Sequence, residues 1–361
     1  MTRNYNRSSR LRNEYSQLLV PLIALLLIIV FNLFRDPSFF SIGIAKNNVG
    51  DSVLQGNLIS ILNGASELAI LAMGMTLVTA ACGGQDISVG ALAAIAGSAF
   101  VKVLKGGESI SPLLVVGGFL LCCAVAMAFG AFNGTLVSVF RIQPMIATLI
   151  LFSCGRSIAY WIIGSATPQL VSPIIDAVGK TIPGIPIPTP IFIVALMAIL
   201  LVLVFKFTNL RLYTQSVGIN QGAARLNGIN PTAIKLLSFV ILGVCVAVAA
   251  VIQVSRLHQL NHKTLLVDIE MDAILAVAIG GNNLGGGRFR LVGSVLGAYI
   301  IQMLTTTLYA MSVSPENVKA YKAIVIIIIV VAGSPVIKNR ISMLVSRIRT
   351  GRTLAAAKGG E

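Results

Sequence analysis

Charged residues are scarce in this chain of 361 residues. They make up 11% of it, while hydrophobic residues make up 56%; an average soluble domain carries roughly 25% charged residues. A water-soluble globular protein does not need so much apolar surface, so the composition excludes a soluble globular protein. The charges present are mostly basic, and the net charge is +15.

The residue patterns that would indicate enzyme or metal chemistry are missing as well. The chain has two histidines and five cysteines, and the cysteines all lie in apolar runs without a CxxC pair. Gly179-Lys180-Thr181 ends like a phosphate-binding loop, but Ile174 occupies the position of the required first glycine. There is no HExxH motif and no GxSxG in a strand-to-helix context. We therefore predict no metal site, no cofactor, no bound nucleotide and no enzymatic activity for this chain.

Long apolar runs recur instead. A spanning helix needs about 20 mostly apolar residues, because the hydrocarbon core offers no water to unpaired backbone groups. The runs are continuous, whereas a β-barrel would show strict alternation. The clear candidates are Leu18–Phe34, Leu58–Ala81, Val89–Leu104, Leu113–Val139, Met145–Ile163, Ile191–Phe207, Leu236–Val254 and Ala323–Val336.

Two further candidates, Met271–Ile279 and Leu291–Met311, flank the glycine-rich stretch 280–287. The first is too short to cross a membrane alone, which indicates a broken or re-entrant helix. The predicted fold class is therefore an all-α polytopic membrane protein, one domain over residues 1–361, with about ten transmembrane helices.

The basic residues predict the orientation. With the N-terminus in the cytoplasm and ten crossings, most Lys and Arg residues lie inside, as the positive-inside rule requires. Both termini are then cytoplasmic, as tails 1–17 and 338–361. Arg35-Asp36-Pro37 follows the first apolar run where a signal peptide would have small residues, so that run is expected to be a retained anchor. The basic charge is thus a topology signal and does not indicate nucleic acid.

Three connections between spans are long. Residues 35–57 are outside and polar. Residues 164–190, also outside, contain six prolines and are predicted to form a rigid, extended piece rather than a helix. Residues 208–232 lie on the cytoplasmic side and contain a predicted short helix that Asn220 caps and Gly228 terminates. A short helix in this place is typical of a docking element.

Polar groups interrupt the second apolar run at Gly83-Gly84-Gln85-Asp86-Ile87-Ser88. One interpretation is a tight turn whose Asp86 or Ser88 caps the helix that resumes at Val89. The other is the end of a half-helix that faces a transport path, as in transporters with discontinuous helices. The pattern alone leaves both open.

Charges inside or beside spans can likewise have a structural role or a role in transport. Glu67 and Arg156 lie within spans, where an ionised group faces a cavity or a partner, so each is either an interhelical pair or part of a transport path. Asp268, Glu270 and Asp272 lead the short apolar segment, where capping explains them.

The sequence from about Asn57 to Pro335 resembles the permease subunits of ATP-binding-cassette sugar importers, the ribose, xylose and galactose group, which is related to branched-chain amino acid permeases. Three stretches carry the resemblance: 74–90 with the Asp86 turn, 218–229 with the cytoplasmic helix, and 270–297 with its glycines. The family more often has isoleucine where this chain has Gln85.

This resemblance implies a monosaccharide importer subunit in the bacterial inner membrane. It implies a second permease chain, two cytoplasmic ATPase domains that carry the ATP, a periplasmic sugar-binding protein, and surrounding lipids. Gln85, Asp86, Ser88, Asn133 and Glu67 are the candidates for path or hinge positions. The segment that couples to the ATPase is expected to use Gly218, Asn220, Ala223, Ala224, Arg225 and Gly228.

Two rival functions remain open at this point. An ion-coupled secondary transporter of a small polar solute would use Glu67 and Asp86 to carry protons or sodium. A purely structural membrane protein would show no substrate dependence, and broken helices with buried polar groups count against it.

Overall fold

The computed structural model describes residues 21–46, 52–104, 110–165, 167–182 and 184–333. The predicted cytoplasmic tails and the first residues of the run that starts at Leu18 lie outside these ranges. The described elements are α1 Pro21–Arg35, β1 Gly43–Lys46, β2 Ser52–Gln55, α2 Asn57–Gly64, α3 Ser66–Cys82, α4 Val89–Leu104, α5 Pro112–Ser138, α6 Pro144–Ile163, α7 Pro173–Gly179, α8 Thr189–Phe207, α9 Leu210–Ile219, α10 Gln221–Leu226, α11 Pro231–Leu257, α12 Ile269–Ile279, α13 Leu291–Ala310 and α14 Pro315–Gly333.

Six stretches of helix in the described ranges are long and apolar enough to cross a membrane: α2 with α3, α5, α6, α8, α11 and α13. α1 and α4 are shorter apolar helices. The prediction of a helical polytopic membrane protein is therefore confirmed. The number ten and the cytoplasmic position of the termini stay predictions.

The centre of the bundle is α3. Its residues from Ser66 to Ala81 are all buried, and α4 is buried almost as completely. α8 instead exposes a row of large apolar side chains, including Leu196, Ile199 and Leu203, as expected of a helix that faces lipid. We call the end of the bundle that carries α9 and α10 the inner end, and the end that carries the β1–β2 hairpin and α7 the outer end. The distribution of basic residues predicts that the inner end is cytoplasmic.

Small residues allow the helices to approach closely. α5 packs against α11 through two glycines, and a Cβ on Gly130 would lie 2.6 Å from the Phe239 carbonyl oxygen. A Cβ on Gly243 would lie 2.5 Å from the Ala126 carbonyl oxygen. In lipid, where apolar burial does not drive helices together, such packing is a principal source of association.

The prediction of an extended segment over residues 164–190 is wrong for residues 173–179. Residues 173–179 form α7, in which Ser172 accepts a hydrogen bond from the Ile174 N–H (3.4 Å) and Pro173 occupies the first turn. Ile175 is fully buried. Only two of the six prolines come before Ile174, and proline is favourable at a helix start. The other four lie after residue 182, beyond the end of α7, so they do not prevent this helix.

Other elements add to the prediction. Residues 43–55 contain an antiparallel hairpin that pairs Gly43 with Gln55 and Lys46 with Ser52, a small exception to the all-α class. α9 precedes the predicted short helix, and α14 begins at Pro315, well before Ala323. The short segment after Asp268 is α12 with 11 residues, so a short helix is confirmed there, and its interpretation as a broken or re-entrant helix stays a prediction.

We predict that Gly130→Leu lowers the free energy of unfolding by about 1–3 kcal/mol, because overpacking forces α5 away from α11. Gly117→Leu is the matched control, since Gly117 lies on the same helix and a Cβ there would have no atom within 4 Å. Thermal unfolding in detergent, with membrane yields compared, measures both. Equal stability of the two variants would contradict the close α5–α11 contact.

Candidate functional site

The turn between α3 and α4 is a compact hydrogen-bonded unit. The Ser88 N–H and Ser88 Oγ both donate to Asp86 Oδ1, at 2.7 and 2.6 Å. Asn133 on α5 donates through Nδ2 to Ser88 Oγ at 2.9 Å and to Asp86 Oδ2 at 3.5 Å. The turn, residues 83–88, is called the Asp86 turn below. It joins α3, α4 and α5 through polar contacts.

The polar side chains of this turn are closed to solvent. Asp86 is 1% exposed, and Ser88 and Asn133 are fully buried. In this conformation the carboxylate organises the turn, which agrees with the interpretation as a tight turn, and both helix capping and the role in a transport path stay predictions. Sequence reasoning missed Thr148 on α6, whose Oγ1 accepts from the Ile87 N–H at 3.0 Å; a threonine inside an apolar run gave no signal.

Gln85 points the other way, toward the glycine-rich segment between α12 and α13. Its Nε2 donates to the Leu284 carbonyl oxygen at 3.0 Å. Gly83 has φ 62° and lies against this segment, so that a Cβ would sit 2.7 Å from the Gly285 carbonyl oxygen. The left-handed conformation and the close approach both require glycine.

The end of α9 completes this contact. Gly218 lies so close to the Ala80 carbonyl and the Gly287 amide that a Cβ there would overlap them. The Gly287 N–H donates to the Ala80 carbonyl oxygen at 3.0 Å. We call this meeting of three backbones the inner junction, and its members are Ala80, Gly83, Gly218, Gly286 and Gly287. It places the predicted coupling segment in direct contact with the end of α3, and Gly286 connects that segment to Gly83 of the Asp86 turn.

The rest of the coupling segment forms α10. Asn220 Oδ1 accepts from the Ala223 N–H at 3.0 Å, and Gly228 follows the helix with φ 76° in open space, so both predicted boundaries are confirmed. Ala224 is buried, whereas Arg225 is exposed and Leu226 is 92% exposed. α10 therefore holds to the bundle by one face and presents the other at the inner end.

Three cations surround a cavity of about 190 Å³ beside α10. They are Arg141 from the α5–α6 turn, Arg225 from α10 and Lys235 from α11. Lys235 is only 8% exposed. Within the described ranges none of the three forms an ion pair with a carboxylate. The inner end thus carries a concentrated positive surface that attracts acidic groups.

Glu67 forms an interhelical pair. Its carboxylate lies 3.1 Å from Nη1 of Arg256, near the end of α11. Arg256 also donates through Nη2 to the backbone oxygen and Oδ1 of Asn63, at 2.8 and 3.1 Å. Glu67 is 3% exposed, so its charge is compensated within the protein. Arg256 was not predicted as a site residue, although a cation at the end of a span can complement a buried acid.

Arg156 has a different role. Its guanidinium donates to the carbonyl oxygens of His262, Lys263 and Leu265, at 2.8 to 3.2 Å. These bonds attach the outer loop after α11 to α6. The ion pairs Asp268–Lys319 (2.5 Å) and Asp272–Lys322 (2.7 Å) attach the start of α12 to α14 in the same way. In this conformation these charged side chains hold neighbouring segments of the protein together.

Comparison with known proteins places these features in context. A family described as branched-chain amino acid transport system, permease component, matches residues 57–332. The chain is 36% identical to the galactofuranose transporter permease of Escherichia coli (strain K12), over 91% of this chain and 93% of the relative. It is 35% identical to the fructose import permease of Bifidobacterium longum (strain NCC 2705), over 87% and 86%.

The ribose import permease of Escherichia coli (strain K12) is 33% identical, over 86% of this chain and 91% of the relative. No solved structure matches. The matched region begins at α2 and ends within α14, so it contains the Asp86 turn, α10 and the inner junction.

We predict that Glu67 and Arg256 are energetically coupled. Arg256→Gln should leave the buried Glu67 carboxylate unpaired, and Glu67→Gln should leave the partly buried Arg256 without its carboxylate. The double variant leaves neither charge, so the cycle should give a coupling energy of about 1–3 kcal/mol. Thermal unfolding in detergent measures the four proteins. The exposed pair Asp268–Lys319 is the matched control and should show much weaker coupling, because solvent screens it. Additive effects at Glu67 and Arg256 would contradict the pairing.

Proposed function

The chain belongs to the family of permease components of branched-chain amino acid transport systems, a transport component of the bacterial inner membrane rather than an enzyme, and from that premise we propose that it is the permease subunit of an ATP-driven monosaccharide importer. The observation that carries this proposal is the inner junction. It joins an exposed docking helix, α10, to the Asp86 turn at the centre of the bundle, which is the connection that an externally powered permease needs.

The substrate class is argued from charge and from the relatives. The three relatives above are named for galactofuranose, fructose and ribose. A neutral sugar needs hydrogen-bonding groups and no countercharge. The buried Glu67 is already paired with Arg256, and Asp86 is already bonded to Ser88 and Asn133, so neither acid supplies a free charge in this conformation.

The partners follow from the same proposal. Two cytoplasmic ATPase domains dock at α10 and hold the ATP, a second permease chain completes the passage, and a periplasmic protein delivers the sugar. The cations Arg141, Arg225 and Lys235 predict an acidic docking surface on the ATPase. Nucleic acid has no place in this assembly, and lipid surrounds the exposed apolar faces of helices such as α8.

The mechanism is a transfer of movement through backbone contacts. When ATP binding closes the ATPase dimer, the force reaches α10 and then α9, which lies directly before it in the chain. Because Gly218 touches Ala80 and Gly287 without intervening side chains, movement of α9 must shift the end of α3 or the segment before α13. Either shift changes the packing around the Asp86 turn, where Gln85, Ser88 and Asn133 act as hinge positions.

We predict that Arg225→Glu abolishes sugar uptake, with a decrease of at least about tenfold, because it reverses a charge in the docking surface. Uptake of labelled pentoses and hexoses is measured in cells that carry the chain with its partners, and co-purification of the ATPase is measured in parallel. Arg225→Lys should retain activity. Lys102→Glu is the matched charge reversal at the exposed far end of α4 and should have little effect.

An uncoupler distinguishes the energy source in the same cells. ATP-driven import should continue for as long as cellular ATP is maintained. Uptake that persists without the ATPase and disappears with the uncoupler would replace this proposal with the ion-coupled transporter.

A further inference from the structure

A large polar cavity lies at the outer end of the bundle, far from the inner junction. Its volume is about 670 Å³, it is open to solvent, and it is lined by β2, α2, the end of α7 and the end of α11. We call it the outer vestibule. The polar side chains around it are those of Gln55, Asn57, Ser60, Asn63, Lys180, Thr181 and Arg256.

The walls of the vestibule are fixed by backbone contacts. The Leu54 N–H donates to the Pro186 carbonyl oxygen at 2.9 Å, so the hairpin is attached to the proline-rich segment. The Thr189 N–H donates to the Lys180 carbonyl oxygen at 2.8 Å. Gly179 lies so close to the Ser255 backbone that a Cβ would overlap it. The vestibule is therefore a built feature of the fold.

Its cations are compensated. Arg256 is paired with Glu67 at 3.1 Å, and Lys180 with Asp176 at 3.0 Å. Partial burial raises the pKa of the Asp176 carboxyl, but the hydrogen bonds and charges of Lys180 and His258 outweigh it and hold that pKa below its usual value. Asp176 therefore remains ionised at neutral pH and continues to neutralise Lys180. With both cations compensated, the vestibule favours a neutral ligand over an anion.

The remaining groups are suited to hydroxyl groups. Asn57, Ser60 and Thr181 have no side-chain hydrogen-bond partner among the described residues, so they are available to a ligand. Amides and hydroxyls both donate and accept, as a sugar hydroxyl does. The volume falls in the range of about 300–1,000 Å³ typical of small-ligand sites.

The lining also indicates weak binding. Its apolar members are Val53, Leu54, Ile59 and Pro188, and none of the described residues that line it is aromatic. A ligand in this site has hydrogen bonds but no ring to stack on. Weak binding suits a position that a substrate must leave quickly.

We propose that the outer vestibule receives a neutral monosaccharide before translocation, with Asn57, Ser60 and Thr181 as hydrogen-bonding groups. This inference deepens the proposed function and rests on it for the direction of transport. Binding itself requires neither ATP nor the sugar-delivering protein, so it is tested separately.

The direct test uses Ser60→Cys in a variant whose five native cysteines are replaced by alanine, purified with its partners. A membrane-impermeant maleimide labels Cys at position 60, and neutral pentoses and hexoses are added at about 100 mM, well above the millimolar range of a weak site. At least one sugar should slow labelling about twofold or more, and gluconate at the same concentration should not. No protection by any sugar, or equal protection by gluconate, would overturn the inference, whatever the result for ATP-driven uptake.

The second test separates a sugar site from a docking surface for the delivering protein. In proteoliposomes the concentration of sugar-loaded delivering protein is varied, and Asn57→Ala/Ser60→Ala is compared with wild type. Loss of two sugar contacts should lower the maximal uptake rate about five- to tenfold and leave the half-saturating concentration of the delivering protein within about twofold.

The matched control is Ser314→Ala/Asn317→Ala, the same two changes at exposed positions at the start of α14; it should behave as wild type. If the vestibule variant raises the half-saturating concentration at an unchanged maximal rate, the cavity is a protein-docking surface and the inference is wrong. If both constants equal those of the control, the inference is also wrong. Absence of ATP-driven uptake in wild type would overturn the proposed function instead, and the labelling result would still decide on the vestibule.

Discussion

The backbone contact at the inner junction is the constraint from which the proposed mechanism follows. Three chain segments meet there without side chains between them, because Gly83, Gly218 and Gly287 have none to interpose. Interiors packed this closely transmit displacement instead of absorbing it. A movement imposed on α9 and α10 at the inner end therefore reaches the end of α3, although α10 itself is only six residues long.

α3 connects the two ends of the molecule. Its last residues lie in the inner junction, and its first turn carries Glu67, which pairs with Arg256 beside the outer vestibule. A buried helix of 17 residues is about 25 Å long at 1.5 Å per residue. The outer vestibule and α10 are thus attached to opposite ends of one rigid element. This arrangement gives a physical basis for the proposed mechanism, in which a force at the inner end changes the packing at the outer end.

Much of this organisation follows from the sequence because its causes are local. Continuous apolar runs predicted the spans, and Asn220 and Gly228 predicted the bounds of α10. The prediction failed at α7, where a helix start with Ser172 and Pro173 was hidden in a proline-rich stretch. The roles of Arg256 and Thr148 and the outer vestibule could not be predicted from the sequence. They depend on which distant segments come together in the fold, and no local sequence pattern indicates those contacts.

The most direct test of this mechanism is the number of sugar molecules transported per ATP hydrolysed by the Gly218→Ala variant, reconstituted with its ATPase and delivering protein. A Cβ at 218 would overlap Ala80 and Gly287, whereas one at Gly222, on the adjacent α10, would meet only the Asn220 side chain at 3.3 Å. We expect that Gly218→Ala still binds the ATPase and supports hydrolysis but transports several-fold less sugar per ATP, while Gly222→Ala resembles wild type. An unchanged ratio in a correctly inserted Gly218→Ala protein would contradict transmission through the inner junction.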